Sequence, residues 1–332
     1  MTDRIEEASS PEEWNNILGR SHHATPFHLA ECLQTCAEYT GTSCHLYIGY
    51  KGQEPTGVFP IFELQKGPFT AVFSPPPNLK IPYLGPAVVM PDGMKRRKCE
   101  RWTRSFVDAV VEHIETELRP QYSQVRTSPK VTDERPFLWN DYSETLRHTY
   151  VVTLPDSDQD IEGSFSSDAR RNTTADHPGE LIEGDVESVE RILGTVTARH
   201  ADQDIAFGLD PSFVRALYDR LPDDCMRTYV YQHDGRFLGG DILFEYDDTV
   251  YGWLGAGDLS VDIPVNDILY GSLLRDAHQR GFERYDMIGA DNPRLSSYKA
   301  KFGPDLESYT SLVRCGVTGQ MAARLYKQIQ KR

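Results

Sequence analysis

The chain has 332 residues, 39% of them hydrophobic and 11% aromatic, with a net charge of −15. That length allows two domains with separate cores, and the apolar content excludes a disordered chain. The acidity argues against a broad nucleic-acid-binding surface, and no apolar run approaches the roughly 20 residues that span a bilayer.

In chain order, Ser10-Pro11-Glu12-Glu13 opens a first helix with an N-cap, a first-turn proline and a capping-box glutamate. Pro26-Phe27-His28-Leu29 leads into a second helix ending near Gly41. A strand pair follows around the Lys51-Gly52 turn, and Pro75-Pro76-Pro77 and Pro82 break the next stretch into loops. The pattern predicts a long amphipathic helix from Arg97 to Leu118, a strand from Gln121 to Ser128 and a loop from Pro129 to Asn140. A clear strand, Tyr150 to Leu154, lies just after the expected domain boundary, giving lobes 1–148 and 149–332. Helices are expected at Asp160–Asp176, Glu187–His200 and Pro211–Arg220, then strands at Arg227–His233, Arg236–Tyr246 and Thr249–Gly255. Helix Asn266–Arg280 stops at Gly281, and strands Tyr285–Gly289 and Ser311–Cys315 and a terminal helix Gly319–Lys331 complete the chain. Such alternation predicts an α/β (α+β) protein.

The chain also repeats itself. His45–Gly52 running into Thr56–Glu63 is echoed by Arg227–Gly235 running into Leu238–Glu245. Leu84-Gly85-Pro86 and Leu254-Gly255-Ala256 then each precede a helix. A unit used twice implies two similar lobes with a cleft suited to holding two substrates.

The basic residues are 10 Lys and 25 Arg, the acidic ones 28 Asp and 22 Glu. Few lysines with abundant aspartate is either the composition of a protein that works in molar salt, where screening makes net charge tolerable, or that of an ordinary acidic enzyme. The acidic start, Met1 to Glu7, is not a secretory signal, so a cytoplasmic protein is expected. Lys95-Arg96-Arg97-Lys98 with Arg101 and Arg104 is a local basic exception at a helix start, where positive charge opposes the macrodipole; it is either a solvated face or a ligand site. The six cysteines have no disulfide or zinc spacing, and His22, His23 and His28 lack a matching ligand frame, so no metal is expected.

A Gly-rich strand exit, a helix ending at Arg280-Gly281-Phe282, a strand with Asp286, Asn292-Pro293 and Tyr298-Lys299-Ala300-Lys301-Phe302-Gly303 together resemble the Gcn5-related N-acyltransferase (GNAT) superfamily. More narrowly the chain resembles the FemAB type, tandem-lobe transferases that add amino acids to peptidoglycan precursors, and Ser164–Asn172 resembles that family's second-lobe opening helix. The resemblance implies two tandem GNAT-like lobes, each a mixed, mostly antiparallel sheet flanked by helices. It implies an N-acyltransferase, moving an acyl or aminoacyl group to an amine such as an amino sugar or envelope precursor. It places Lys299 at the oxyanion and Tyr298 beside the acyl group. The donor's arm would pair with the edge of the Thr249–Gly255 strand, where Gly255 allows close approach.

Asp258 and Asp286 are alternative proton acceptors, each equally able to cap a turn. Tyr251, Trp253 and Tyr270 either line an acyl pocket or belong to the core. Arg170 and Arg171 either clamp a phosphate-bearing acceptor or cap a helix face. The acidic Leu259–Asn266 loop lacks the Gly-rich basic pattern of acetyl-CoA binders, so the donor, acyl-CoA or aminoacyl-tRNA, stays open and no tightly bound cofactor is expected. The partners expected are an acyl donor and an amine acceptor, with tRNA reaching only the Lys95–Arg104 patch. Alternatives are a non-catalytic tandem-lobe binding or scaffold protein and a conventional acyl-CoA N-acetyltransferase.

Overall fold

A computed structural model describes residues 1–155, 161–204 and 206–316. The chain divides into two compact units, Met1–Arg147 with the return of the chain from Ser308, and His148–Glu307.

Unit 1 begins with β1 (Arg4–Glu7) and α1 (Pro11–Leu18), whose N-cap Ser10 accepts from Glu13 N as its sequence predicts. After α2 (Ala30–Thr40), closed by left-handed Gly41, come β2 (Ser43–Lys51), β3 (Glu54–Lys66), β4 (Phe69–Ser74) and β5 (Ala87–Val88). Then follow α3 (Arg96–Glu117), β6 (Tyr122–Arg126) and the short α4 (Arg135–Leu138), which interrupts the expected Pro129–Asn140 loop. β1 to β4 form an antiparallel run, β5 pairs β3, and β6 joins β4 in parallel. The apolar stripe of α3, Phe106, Val107, Val110, Val111 and Ile114, is buried against Phe59, Ile61, Val72 and Val125. Each such side chain contributes about 1.5–3 kcal/mol on burial.

Unit 2 takes up β7 (Ser143–Thr153) from His148 on, then α5 (Ser167–Thr174), β8 (Glu180–Glu183), α6 (Val186–Ala201) and α7 (Pro211–Arg220). In place of the single helix expected at Asp160–Asp176 there are a 3₁₀ turn at Ile161–Ser164 and α5, separated where Ser166 caps the start of α5 and ending at Thr174; Asp160 lies outside the described residues. β9 (Met226–His233), β10 (Arg236–Tyr246), β11 (Thr249–Gly257), α8 (Val265–Gln279), β12 (Arg284–Asp286) and α9 (Pro293–Lys299) complete it. The strand order is β8-β9-β10-β11-β12-β7, with only β11–β12 parallel. α6 packs on one face, where Gly240 meets Ile192. α8 covers the other, where Leu243, Tyr285 and Phe302 pack with Leu273 and Leu274.

β13 (Asp305–Cys315) returns to unit 1 and pairs antiparallel with β6 over Ser311–Cys315. The expected 149–332 lobe therefore gives up its last described strand, because β6 otherwise has one open edge. Each unit thus shows a three-strand antiparallel meander, a helix, a strand parallel to the third, and an antiparallel strand beyond it, which comes last of the described strands in unit 1 and first in unit 2. The terminal helix expected at Gly319–Lys331 lies outside the described residues. Among the described residues no helix is long and apolar enough to cross a membrane.

Candidate functional site

The two units differ at one point of this shared plan. In unit 1, β4 and β6 stay paired from Ala71 to the end of β4 at Ser74, and Leu84 then bridges to Thr127 beyond β6. In unit 2, β12 pairs with β11 only over Thr249–Tyr251, whereas β11 stays paired with β10 through Gly257. Its other edge, from Gly252 on, faces no strand among the described residues. The register slips opposite Ile242/Leu243, a bulge that turns the strand at the fork.

β12 leaves the sheet because the backbone turns after Asp286. Ile288 has φ +49° and Gly289 φ +83°, so a β-branched residue sits in the left-handed region at a cost of about 1–3 kcal/mol. Three side chains hold it there. Asp286 Oδ1 accepts from Ile288 N (2.8 Å) and from Thr149 Oγ1 (2.6 Å), and Thr149 Oγ1 accepts from Gly289 N (3.0 Å). Lys299, buried at 7% exposure, donates to the carbonyls of Met287 (2.7 Å), Ile288 (2.7 Å) and Gly289 (3.1 Å). Burial lowers its pKa to about 8, opposed by the charges of Asp286 and Asp241. All three ammonium protons are thus engaged with the turn, and an oxyanion could receive one only if a carbonyl released it.

Tyr298 lies beside Lys299 on α9, and its hydroxyl donates to Asp267 Oδ1 (2.8 Å) on α8. Asp267 Oδ2 accepts from Asn172 of α5 (2.7 Å) and Lys301 (2.8 Å). Burial, then the Asp267 charge, pushes the Tyr298 phenol well above its ordinary range. Tyr270, Tyr298 and Phe302 pack ring on ring at 5.2–5.9 Å. Gly303, at φ +69°, lies where an added Cβ would overlap Ser164.

Of the other expected residues, Tyr251 lies in register with Asp286. Asp258 accepts from Ser260 N and Oγ (2.8 and 2.6 Å) and pairs with Arg236 (3.0 Å). The Ser260 hydrogen bonds lower its pKa, so it is a turn cap and a weak base. Arg170 donates to the carbonyls of Glu162, Gly163 and Phe165, closing the 3₁₀ turn before α5. Arg171 is exposed and makes no ion pair among the described residues. Tyr251 and Trp253 are buried on β11, Trp253 edge-on to Phe244 at 5.1 Å.

One group escaped the sequence reading. Asp241, on β10, lies in register with Gly255 of β11 on the α8 face, and is 8% exposed. Its carboxylate occupies the space a side chain at Gly255 would need. No hydrogen bond reaches it among the described residues, and burial raises its pKa to about 7, moderated by the Lys299 charge. The Tyr285 hydroxyl, buried and without a partner among the described residues, stands over Gly252 on the same face, 2.9 Å from where a Cβ there would lie. Mid-strand, Asp241 carries no sequence signal except the single glycine opposite it, Gly255.

The acetyltransferase (GNAT) domain family matches residues 165–300, the stretch that holds the fork strands and Lys299, while Thr149, Lys301 and Phe302 lie just outside it. No curated protein matches the chain in sequence. Among solved structures, "Crystal structure of FemX" is similar at 13% identity, covering 93% of this chain and 97% of that one, with a TM-score of 0.71. L-PGS from Bacillus licheniformis is similar at 12% identity over 97% and 99%, TM-score 0.54. A tandem GNAT protein from the clavulanic acid biosynthesis pathway is similar at 11% identity over 94% and 98%, TM-score 0.50. In fold the chain is a two-lobe, GNAT/FemAB-like protein, with its acetyltransferase (GNAT) domain match in the second unit.

Proposed function

We propose that unit 2 is an N-acyltransferase site that moves an acyl or aminoacyl group to an amine. The observation that carries the reading is the fork: β11 runs six residues past its last pairing with β12, from Gly252 to Gly257, and offers an open strand edge. An extended donor arm supplies the missing strand by backbone hydrogen bonding. Its acyl carbonyl then lies near the turn Met287–Gly289, which Lys299, Asp286 and Thr149 hold in one conformation. Lys299 acts there as a positioning residue and as a buried positive charge near the developing oxyanion. Tyr298, fixed by Asp267, and Tyr270 form the aromatic wall beside the acyl group. Asp286 serves the turn, since its Oδ1 is taken up by Thr149 and Ile288.

The donor is acyl-CoA or aminoacyl-tRNA. The exposed Arg97, Lys98 and Arg101 at the start of α3 give tRNA a basic landing, whereas Arg96 and Arg104 are paired with Glu100 and Asp108. The test is direct. The full chain, in high salt, is incubated with acetyl-CoA or alanyl-tRNA and with glucosamine or a nucleotide-linked glucosamine, and amide products are sought by mass spectrometry. An amide with one donor supports the reading. Folded protein that yields none with either donor overturns it in favour of a scaffold.

A further inference from the structure

The fork explains where a donor lies but leaves Asp241 without a task. A carboxylate taken from water into a protein interior is paired, hydrogen-bonded or neutral. Asp241 is 8% exposed and has neither a hydrogen bond nor an ion pair among the described residues. Core packing does not explain its presence, since its neighbour on the same face, Leu243, is an ordinary core residue. The fold also accommodates it. Gly255, directly opposite in register, is exposed although it lies within the strand, and any larger residue there would overlap the carboxylate. An acid is thus held at the bottom of an opening formed by a missing side chain, on the strand whose far edge is unpaired.

The groups facing it are few. Tyr285 comes from β12, Tyr270 from α8, and Tyr298 and Lys299 from α9. Lys299 is the cation among them and spends its protons on Met287, Ile288 and Gly289. The Tyr285 hydroxyl is a second polar group on this face without a partner among the described residues.

We propose that Asp241 receives the acceptor: its carboxylate pairs with a primary ammonium entering past Gly255 and removes one proton from it. This rests on the acyltransferase reading and narrows it, because the acceptor amine is then a primary amine that is protonated at neutral pH. The step balances. The ammonium gives one proton to Asp241, and the free amine attacks the donor's acyl carbon, forming the C–N bond. The C–S or C–O bond to the leaving group breaks as the tetrahedral intermediate collapses, and the second nitrogen proton leaves with the thiol or hydroxyl. Asp241 then returns its proton to solvent. A base with a pKa near the working pH suits this exchange, and the raised Asp241 agrees with it.

The test separates this inference from the transfer reading. In the full chain with 13C-carboxyl-labelled aspartate, one resonance, absent from Asp241→Asn, is expected to titrate near neutrality and to shift on adding glucosamine but not glucose. An Asp241 resonance that titrates with ordinary aspartates, or ignores glucosamine, overturns the proposal whether or not the protein turns over. With a donor the wild type uses, Asp241→Asn is expected to lose roughly a hundred-fold or more in turnover and the acidic limb of the pH profile. Turnover within threefold of wild type with that limb intact overturns it. Gly255→Ala, which displaces the carboxylate without removing it, is expected to weaken the glucosamine shift in a folded protein. A wild type that turns over no donor, with the glucosamine shift intact, counts against transfer and leaves the ammonium site standing.

Discussion

Asp241 couples its site to stability with a definite sign. Its folded pKa of about 7 lies above the ordinary carboxylate value, so between about pH 4 and 7 the unfolded chain has lost a proton that the folded chain keeps. Unit 2 therefore loses stability as pH rises through that window, by roughly 4 kcal/mol in all. Asp241→Asn is expected to flatten that fall in urea titrations at pH 5 and pH 7.5, and a fall of unchanged size would show that another group causes it. Lys299 gives the opposite kind of prediction. Lys299→Met removes one donor from each of three carbonyls on a strained turn, and a loss of about 3 kcal/mol or more is expected by the same method. A variant as stable as the wild type would show that the turn needs no anchor. Lys299 was visible in sequence as one of 10 lysines in an arginine-rich chain. Its three carbonyl partners were not, because they come from a turn that the sequence reads as a continuing strand.

At the scale of elements, Asp267 ties four segments together: α8 itself, α5 through Asn172, α9 through Tyr298, and the turn after α9 through Lys301. Asp267→Ala leaves Lys301 with Asp168 at 3.1 Å as its remaining partner and Tyr298 without an acceptor. A cost of about 3–5 kcal/mol is expected, with hydrogen exchange rising first in Ser296–Phe302. Uniform exchange across unit 2 would mean that Asp267 is an ordinary core contact. Elements with strong periodicity were legible: α7 has the expected limits, and α3 and α8 fall within a residue of them. β12 is shorter than its apolar run because Asp286 and Thr149 bend the backbone out of the sheet, which hydropathy alone cannot reveal. Asn292-Pro293 stands in the sequence as part of a family pattern. In the structure it is an N-cap accepting from Arg294 and Leu295, with a first-turn proline that starts α9.

The whole molecule carries 50 acidic against 35 basic residues. Self-repulsion of that size is screened within about 3 Å at 1 M salt, so we expect the melting temperature to rise between 0.1 M and 2 M potassium chloride. A falling or flat temperature would remove the high-salt reading. The segments that read as a repeat in the sequence fall on β2–β3 and on β9–β10, but the decisive difference between the units was hidden from that reading. Leu84-Gly85-Pro86 and Leu254-Gly255-Ala256 read alike, yet Leu84 bridges onward from β6 whereas Leu254 lies on an edge that β12 has left. Pairing partners, and therefore openings, are set by strand lengths on two sides at once, and a single run of residues does not disclose them.

The most direct measurement is hydrogen exchange of the full chain in high salt, alone and with acetyl-CoA or alanyl-tRNA, read at backbone amides 252–257 and 71–74. If an acyl donor completes the fork, exchange at 252–257 slows with one of the two donors while 71–74, on the closed strand of unit 1, is unchanged. Unaltered exchange at 252–257 with both donors, or protection confined to 71–74, would contradict the placement of the transfer site in unit 2.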